Sequence, residues 1–119
     1  MTDNPEKAVE WFQAALGVED WGVKLSVCDD PPDFAGDNLE SGCCGVCQSD
    51  RDAKIARIWV SPARCKRNDF EVLDVLMHEL LHMAFTDAGM DSDDKPPFHA
   101  VVNRLEAVLA AAYKARKAK

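Results

Sequence analysis

His78, Glu79 and His82 are the residues whose types and spacing most plainly invite chemistry, and they spell His-Glu-Leu-Leu-His. On a helix, residues four apart are offset by about 40° and lie one turn (~5.4 Å) from each other, so both imidazoles can reach one metal ion from the same side. Glu79 stands beside them. From there a carboxylate can take a proton from a metal-bound water without occupying a coordination position. Neutral imidazoles suit zinc, which lowers the pKa of bound water towards ~7. With three His and seven Glu in 119 residues, a shuffled chain would contain the pattern with a probability of roughly 0.004.

A tetrahedral catalytic site takes three protein ligands and keeps one position for water. The remaining histidine, His99, follows Pro96, Pro97 and Phe98 at the start of a helical pattern, and it is the preferred third ligand because imidazole is the commonest metal ligand. Sixteen residues separate it from His82. That is enough for a turn around Gly89 that brings the last helix back antiparallel to the motif helix. Asp93 or Asp94 in the connecting loop, or Glu106 one heptad beyond His99, are the alternatives.

The elements that must hold these groups follow from periodicity. The motif helix should run through FEVLDVLMHELLHMAF from a cap at Asn68 or Asp69, with no Gly or Pro before Gly89. Leu73, Leu76, Met77, Leu80 and Ala84 form one apolar stripe, and Val75, Leu81, Met83 and Phe85 carry apolar character round the cylinder. A helix of that kind is expected at the centre of the core, where its polar residues need partners. Upstream, Asn4 and Pro5 read as the cap and first residue of a helix whose Val9, Phe12, Ala15 and Leu16 recur until Gly17.

Residues 21–28 and 53–60 alternate as strands, the second with Ile55, Arg57 and Trp59 on one face and Ile58 and Val60 on the other. Residues 43–48 are expected to form a further strand that pairs with 53–60 through 49–52, after a Pro-, Asp- and Gly-rich loop at 29–42. Val101, Val102, Leu105, Val108, Leu109 and Ala112 mark the last helix. The expected architecture is a single α+β domain over residues 1–119, with an N-terminal helix, a short and mostly antiparallel sheet, the motif helix and a C-terminal helix.

Composition sets the bounds. With 47% hydrophobic and 29% charged residues, the chain reads as globular, and its length lets roughly two-thirds of the unfolded surface be buried. Apolar runs fall far short of the ~20 residues that span a bilayer, and the opening MTDNPEK has no basic start followed by an apolar stretch. A cytoplasmic protein with no membrane partner is expected. Of the net charge of −7, residues 1–50 hold 11 acids against Lys7 and Lys24, whereas residues 51–119 hold 12 bases against 10 acids. The bases are dispersed apart from Arg64, Lys66 and Arg67 and the terminal Lys114, Arg116, Lys117 and Lys119, so direct nucleic-acid binding is not supported.

The order of these elements and two stretches, MHELLHMAF (77–85) and PPFHAVVNRL (96–105), resemble the minimal zincin metallopeptidases, in particular SprT-like proteins and small bacterial and phage zincin-like proteins. The resemblance spans about residues 21–109. It implies a zinc-dependent endopeptidase for a protein or peptide substrate held extended along a strand edge, with Glu79 as general base and zinc on His78, His82 and His99. SprT-like proteins usually open a His-Gly-x-x-Phe pattern with the third histidine, and on Phe98 that pattern puts Asp94 and Lys95 in the His and Gly places. Either the ligand has moved to His99 or Asp94 serves. Phe85 stands where metzincins have Gly, so that longer signature is absent.

No oxyanion partner is identified; Tyr113, the only tyrosine, is expected to pack rather than to serve as one. A different class of function, a non-catalytic module that zinc stabilises for partner binding, would use the same histidines and leave Glu79 idle. Five cysteines, an odd number, argue for reduced thiols over a disulfide framework. Cys44 and Cys47 form a C-x-x-C that, with Cys28 and Cys65, offers four thiolates to a second, structural zinc, but buried free cysteines are the plainer expectation.

Overall fold

A computed structural model describes residues 4–35, 43–89 and 96–117, with the backbone alone at 96–99 and 117. The first helix, α1 (Pro5–Leu16), starts where the Asn4 side chain accepts the Glu6 N–H at 2.9 Å and where Pro5 has no N–H to leave unpaired. It stops at Gly17, whose φ of 71° suits a residue without a Cβ. Ala8, Val9 and Phe12 are buried, whereas Ala15 and Leu16 face solvent. The inward stripe therefore ends one turn earlier than the spacing suggests.

Three strands follow, β1 (Gly22–Val27), β2 (Gly45–Asp50) and β3 (Ile55–Val60), in the spatial order β1-β3-β2. The expected hairpin is present, with β2 antiparallel to β3 from Gly45↔Val60 to Asp50↔Ile55. β1, however, runs parallel to β3, from Gly22↔Ile55 to Val27↔Val60. The sheet is thus mixed rather than mostly antiparallel. The reason lies in β3, which buries Ala56, Ile58, Trp59 and Val60 and so takes the central place, inserted between the two strands that precede it. Trp59 is buried on the face away from Ile58, with its indole N–H donated to Cys28 O at 2.9 Å and the Arg64 guanidinium 5.5 Å from its ring.

A short helix absent from the sequence reading, α2 (Pro62–Arg67), follows β3, with the Ser61 hydroxyl accepting the Arg64 N–H at 3.1 Å. Asn68 closes α2, and Asp69 has a φ of 62°, so neither can cap the motif helix. That helix, α3 (Val72–Asp87), begins after Glu71. It buries Val75, Leu76, Met77, Leu80, Leu81 and Met83 around most of its circumference, packed against β2, β3, α1 and α4.

The last helix, α4 (Pro96–Lys117), runs antiparallel to α3, because Glu71 pairs with Lys114 and, seven residues on, His78 pairs with Glu106. Among its described side chains Val102, Ala110 and Tyr113 are buried, while Val101 and Val108 are 48% and 63% exposed. The inward face is rotated from the expected stripe because Tyr113 packs edge-on against Trp11 with ring centroids 5.5 Å apart. The result is a compact α+β domain with a radius of gyration of 13.5 Å, which is the ~13.5 Å that a chain of this length takes when folded. Among the described residues no helix is long and apolar enough to cross a membrane.

Candidate metal centre

His78 and His82 lie on the side of α3 that meets α4, and they approach each other through their Nε2 atoms at 3.3 Å. The rings stand 5.0 Å apart at 65°. Two nitrogens bound at ~2.0–2.1 Å to one tetrahedral ion are separated by about 3.3 Å, so this pair already has the edge length of a tetrahedral site. The separation is also at the long end for a ring-to-ring hydrogen bond.

His78 Nδ1 lies 2.9 Å from Glu106 Oε1, with the two side chains 16% and 19% exposed. A carboxylate that is ionised only accepts, so with a neutral imidazole this contact would place the proton on Nδ1 and leave the Nε2 lone pair on the side facing His82. Glu106, an alternative ligand on spacing, meets His78 at the ring edge away from the paired Nε2 atoms. It orients the imidazole there. The heptad relation to His99 marks Glu106 only as an alternative ligand, and its contact with His78 Nδ1 is not foreseen from the sequence.

Glu79 points to another side of α3, beneath β2, and is only 8% exposed. Gly45 allows this approach, since a Cβ there would stand 3.4 Å from Glu79 Cγ, 2.9 Å from Val75 Cγ1 and 2.8 Å from Trp59 O. The thiols on this part of β2 sense the arrangement. Burial pushes the Cys47 thiol up to about 12, against the favourable Ser49 hydrogen bond, and the Glu79 charge adds to the rise. Burial also raises Cys43, whose thiol donates to Gly45 O at 3.2 Å.

The third-ligand candidates divide. His99 lies on α4, and its side chain is outside the described residues, as are Asp93 and Asp94 altogether. The backbone register is nevertheless informative. Seven residues on from His78 is Phe85 and seven back from Glu106 is His99, so in this antiparallel pair His99 is level with Phe85, about one turn past His82. Among the described residues, no group of three or more His, Cys, Asp or Glu side chains converges on a point where an ion could sit.

Tyr113 is buried against Trp11, with Arg116 4.8 Å from its ring centre, so it packs as expected. The four thiols of the proposed second zinc site do not come together. Cys44 and Cys65 are buried side by side, and burial followed by the neighbouring Cys44 pushes Cys65 up to about 12. Cys28 is exposed and reaches Asp30 O, while Cys47 meets the Ser49 hydroxyl. Cys44 and Cys47 are three apart on or beside an extended strand, so they project to opposite faces.

A cleft of about 540 Å³ opens at the far end of the β2–β3 hairpin, lined by Gln48, Arg51, Asp52 and Arg57 among others, and no residue of the motif lines it. The chain matches no protein-family model, and comparison with curated proteins and with solved structures finds none that is similar.

Proposed function

We propose that the chain is a small zinc-dependent metallopeptidase of the zincin kind that hydrolyses peptide bonds in a protein or peptide substrate. The observation that carries this reading is the 3.3 Å approach of the His78 and His82 Nε2 atoms, with Glu79 buried on the adjoining side of the same helix. His78 and His82, with His99 or Asp94 as third member, would hold the ion. Bound there, zinc supplies a Lewis acid that lowers the pKa of a coordinated water towards ~7 and polarises a carbonyl.

The chain's own groups do the rest. The Glu79 carboxylate takes a proton from the attacking water and passes it to the leaving amine nitrogen. Its burial under β2 shields it from bulk water. The outer edge of β2 pairs with no strand among the described residues. Ser61 N–H bonds Cys44 O at 2.9 Å, so alternate residues from Cys44 onward direct their backbone groups at β3, while Cys47 and Ser49 direct theirs outward. An extended peptide added at that edge would pass beside Glu79. An odd number of thiols fits a reducing, cytoplasmic setting.

The test is Glu79→Gln, assayed for zinc content and for cleavage of casein and of a mixed peptide library. The substitution should keep the zinc and lower cleavage by roughly 10²- to 10⁴-fold. Equal cleavage by the variant would remove Glu79 from the chemistry. Zinc bound without any cleavage by the unsubstituted chain would favour the non-catalytic module instead.

A further inference from the structure

We propose that Glu106 is a positioning residue that holds His78 as its Nδ1-protonated tautomer with Nε2 turned to His82. The tautomer follows from the chain alone, and its consequence for zinc rests on the metallopeptidase reading above.

Among the described residues, two polar pairs link α3 and its N-cap to α4. Glu71 and Lys114 meet at 2.6 Å with 64% and 49% of their side chains exposed, which makes a solvated pair worth little to stability. His78 and Glu106 meet at 2.9 Å with only 16% and 19% exposed. A carboxylate covered to that degree loses most of its hydration, and an apolar residue would join the helices at lower cost. Helix docking thus accounts for the first pair and leaves the second unexplained.

The direction of the Glu106 contact supplies the explanation. A neutral imidazole has one protonated and one free nitrogen, and only the free one can bind a metal. Glu106 Oε1 sits on Nδ1 while Nε2 is the atom that faces His82 Nε2. The carboxylate therefore selects the tautomer whose lone pair points where the second imidazole points. It also fixes the ring about its χ2 torsion, which would otherwise be broad. Glutamine in its place can either donate or accept, so it would keep the size of the side chain and lose the selection.

The experiment is a long-range ¹⁵N–¹H spectrum of the imidazoles in the metal-free chain at pH 8, for the unsubstituted protein and for Glu106→Gln, together with zinc affinity by competition with a chromogenic chelator. His78 should be protonated at Nδ1 in the unsubstituted chain, and the preference should weaken in Glu106→Gln while helix content stays the same. Zinc affinity should fall about 10-fold. Glu106→Asp, which keeps the charge, should recover part of both effects. A His78 ring protonated at Nε2 in the unsubstituted chain, or an unaltered tautomer and affinity in Glu106→Gln, overturns the inference. An Nδ1-protonated His78 in a chain that takes up no zinc would leave the positioning role standing and remove the metallopeptidase reading.

Discussion

Gly45→Ala probes the contact that brings β2 down onto the motif helix. An added methyl would lie 2.8 Å from the backbone oxygen of Trp59 and 2.9 Å from Val75 Cγ1, with Glu79 Cγ at 3.4 Å. The first contact is with the central strand, whose backbone is held by partners on both sides, so the neighbour cannot simply swing away. Overpacking of this kind costs about 1–3 kcal/mol. With an unfolding entropy of ~2.1 cal/mol/K per residue, the 119 residues give about 0.25 kcal/mol/K, so the melting temperature should drop by about 4–12 °C. Urea denaturation and thermal melts followed by circular dichroism measure both quantities. Gly22→Ala is the control, because a methyl there meets nothing closer than 4.0 Å and should change stability by less than ~0.5 kcal/mol. Equal stability of Gly45→Ala and the unsubstituted chain would mean that β2 does not press on α3, and the burial of Glu79 would lose its cause.

Other outcomes follow from burial and charge. Burial raises the Asp74 carboxyl above its ordinary 3.8, Glu71 and Glu106 push in the same direction and Lys114 opposes them. Because the folded chain disfavours the ionised form, the penalty is absent below pH ~3.8 and complete once the pH exceeds the folded-state pKa. Asp74→Asn should therefore unfold at higher urea than the unsubstituted protein at pH 7, and at the same urea near pH 3; a less stable variant at pH 7 would reverse the assignment. For the thiols, iodoacetamide at pH 8 should modify the exposed Cys28 first. Cys47 and Cys65, both pushed up to about 12, should react only after denaturation, and mass spectrometry of the modified peptides would expose equal rates if the burial is wrong.

The parts of the fold that could be read in advance are those specified by neighbours in sequence. The Asn4–Pro5 start and Gly17 stop of α1 are local hydrogen-bond and φ requirements, and they appear as such. The β2–β3 hairpin is likewise a local event, joined by a four-residue turn in which Asp50 Oδ1 accepts the Ala53 N–H. The direction of β1 is different in kind, since it depends on β3 inserting between strands separated by a long loop, and no local pattern encodes that. α2 carried a readable signal in Ser61 followed by Pro62, but six residues leave too little periodicity to register. Val101 and Val108 read as core by spacing and are exposed, because the rotation of α4 is set by what Glu106 and Tyr113 meet on other helices. In the site, the spacing of His78 and His82 fixed their common face, whereas the burial of Glu79 beneath Gly45 and the contact of Glu106 with Nδ1 arise only when three elements meet.

Zinc content bears most directly on the site. Elemental analysis of protein purified without a metal-binding tag, on the unsubstituted chain, His82→Ala and His99→Ala, should give one zinc per chain that is lost in His82→Ala. A parallel loss in His99→Ala would make it the third ligand, and retention there would point to Asp94. No zinc in the unsubstituted chain after addition of excess ion, or a full equivalent kept by His82→Ala, would show that the paired imidazoles are not a metal site.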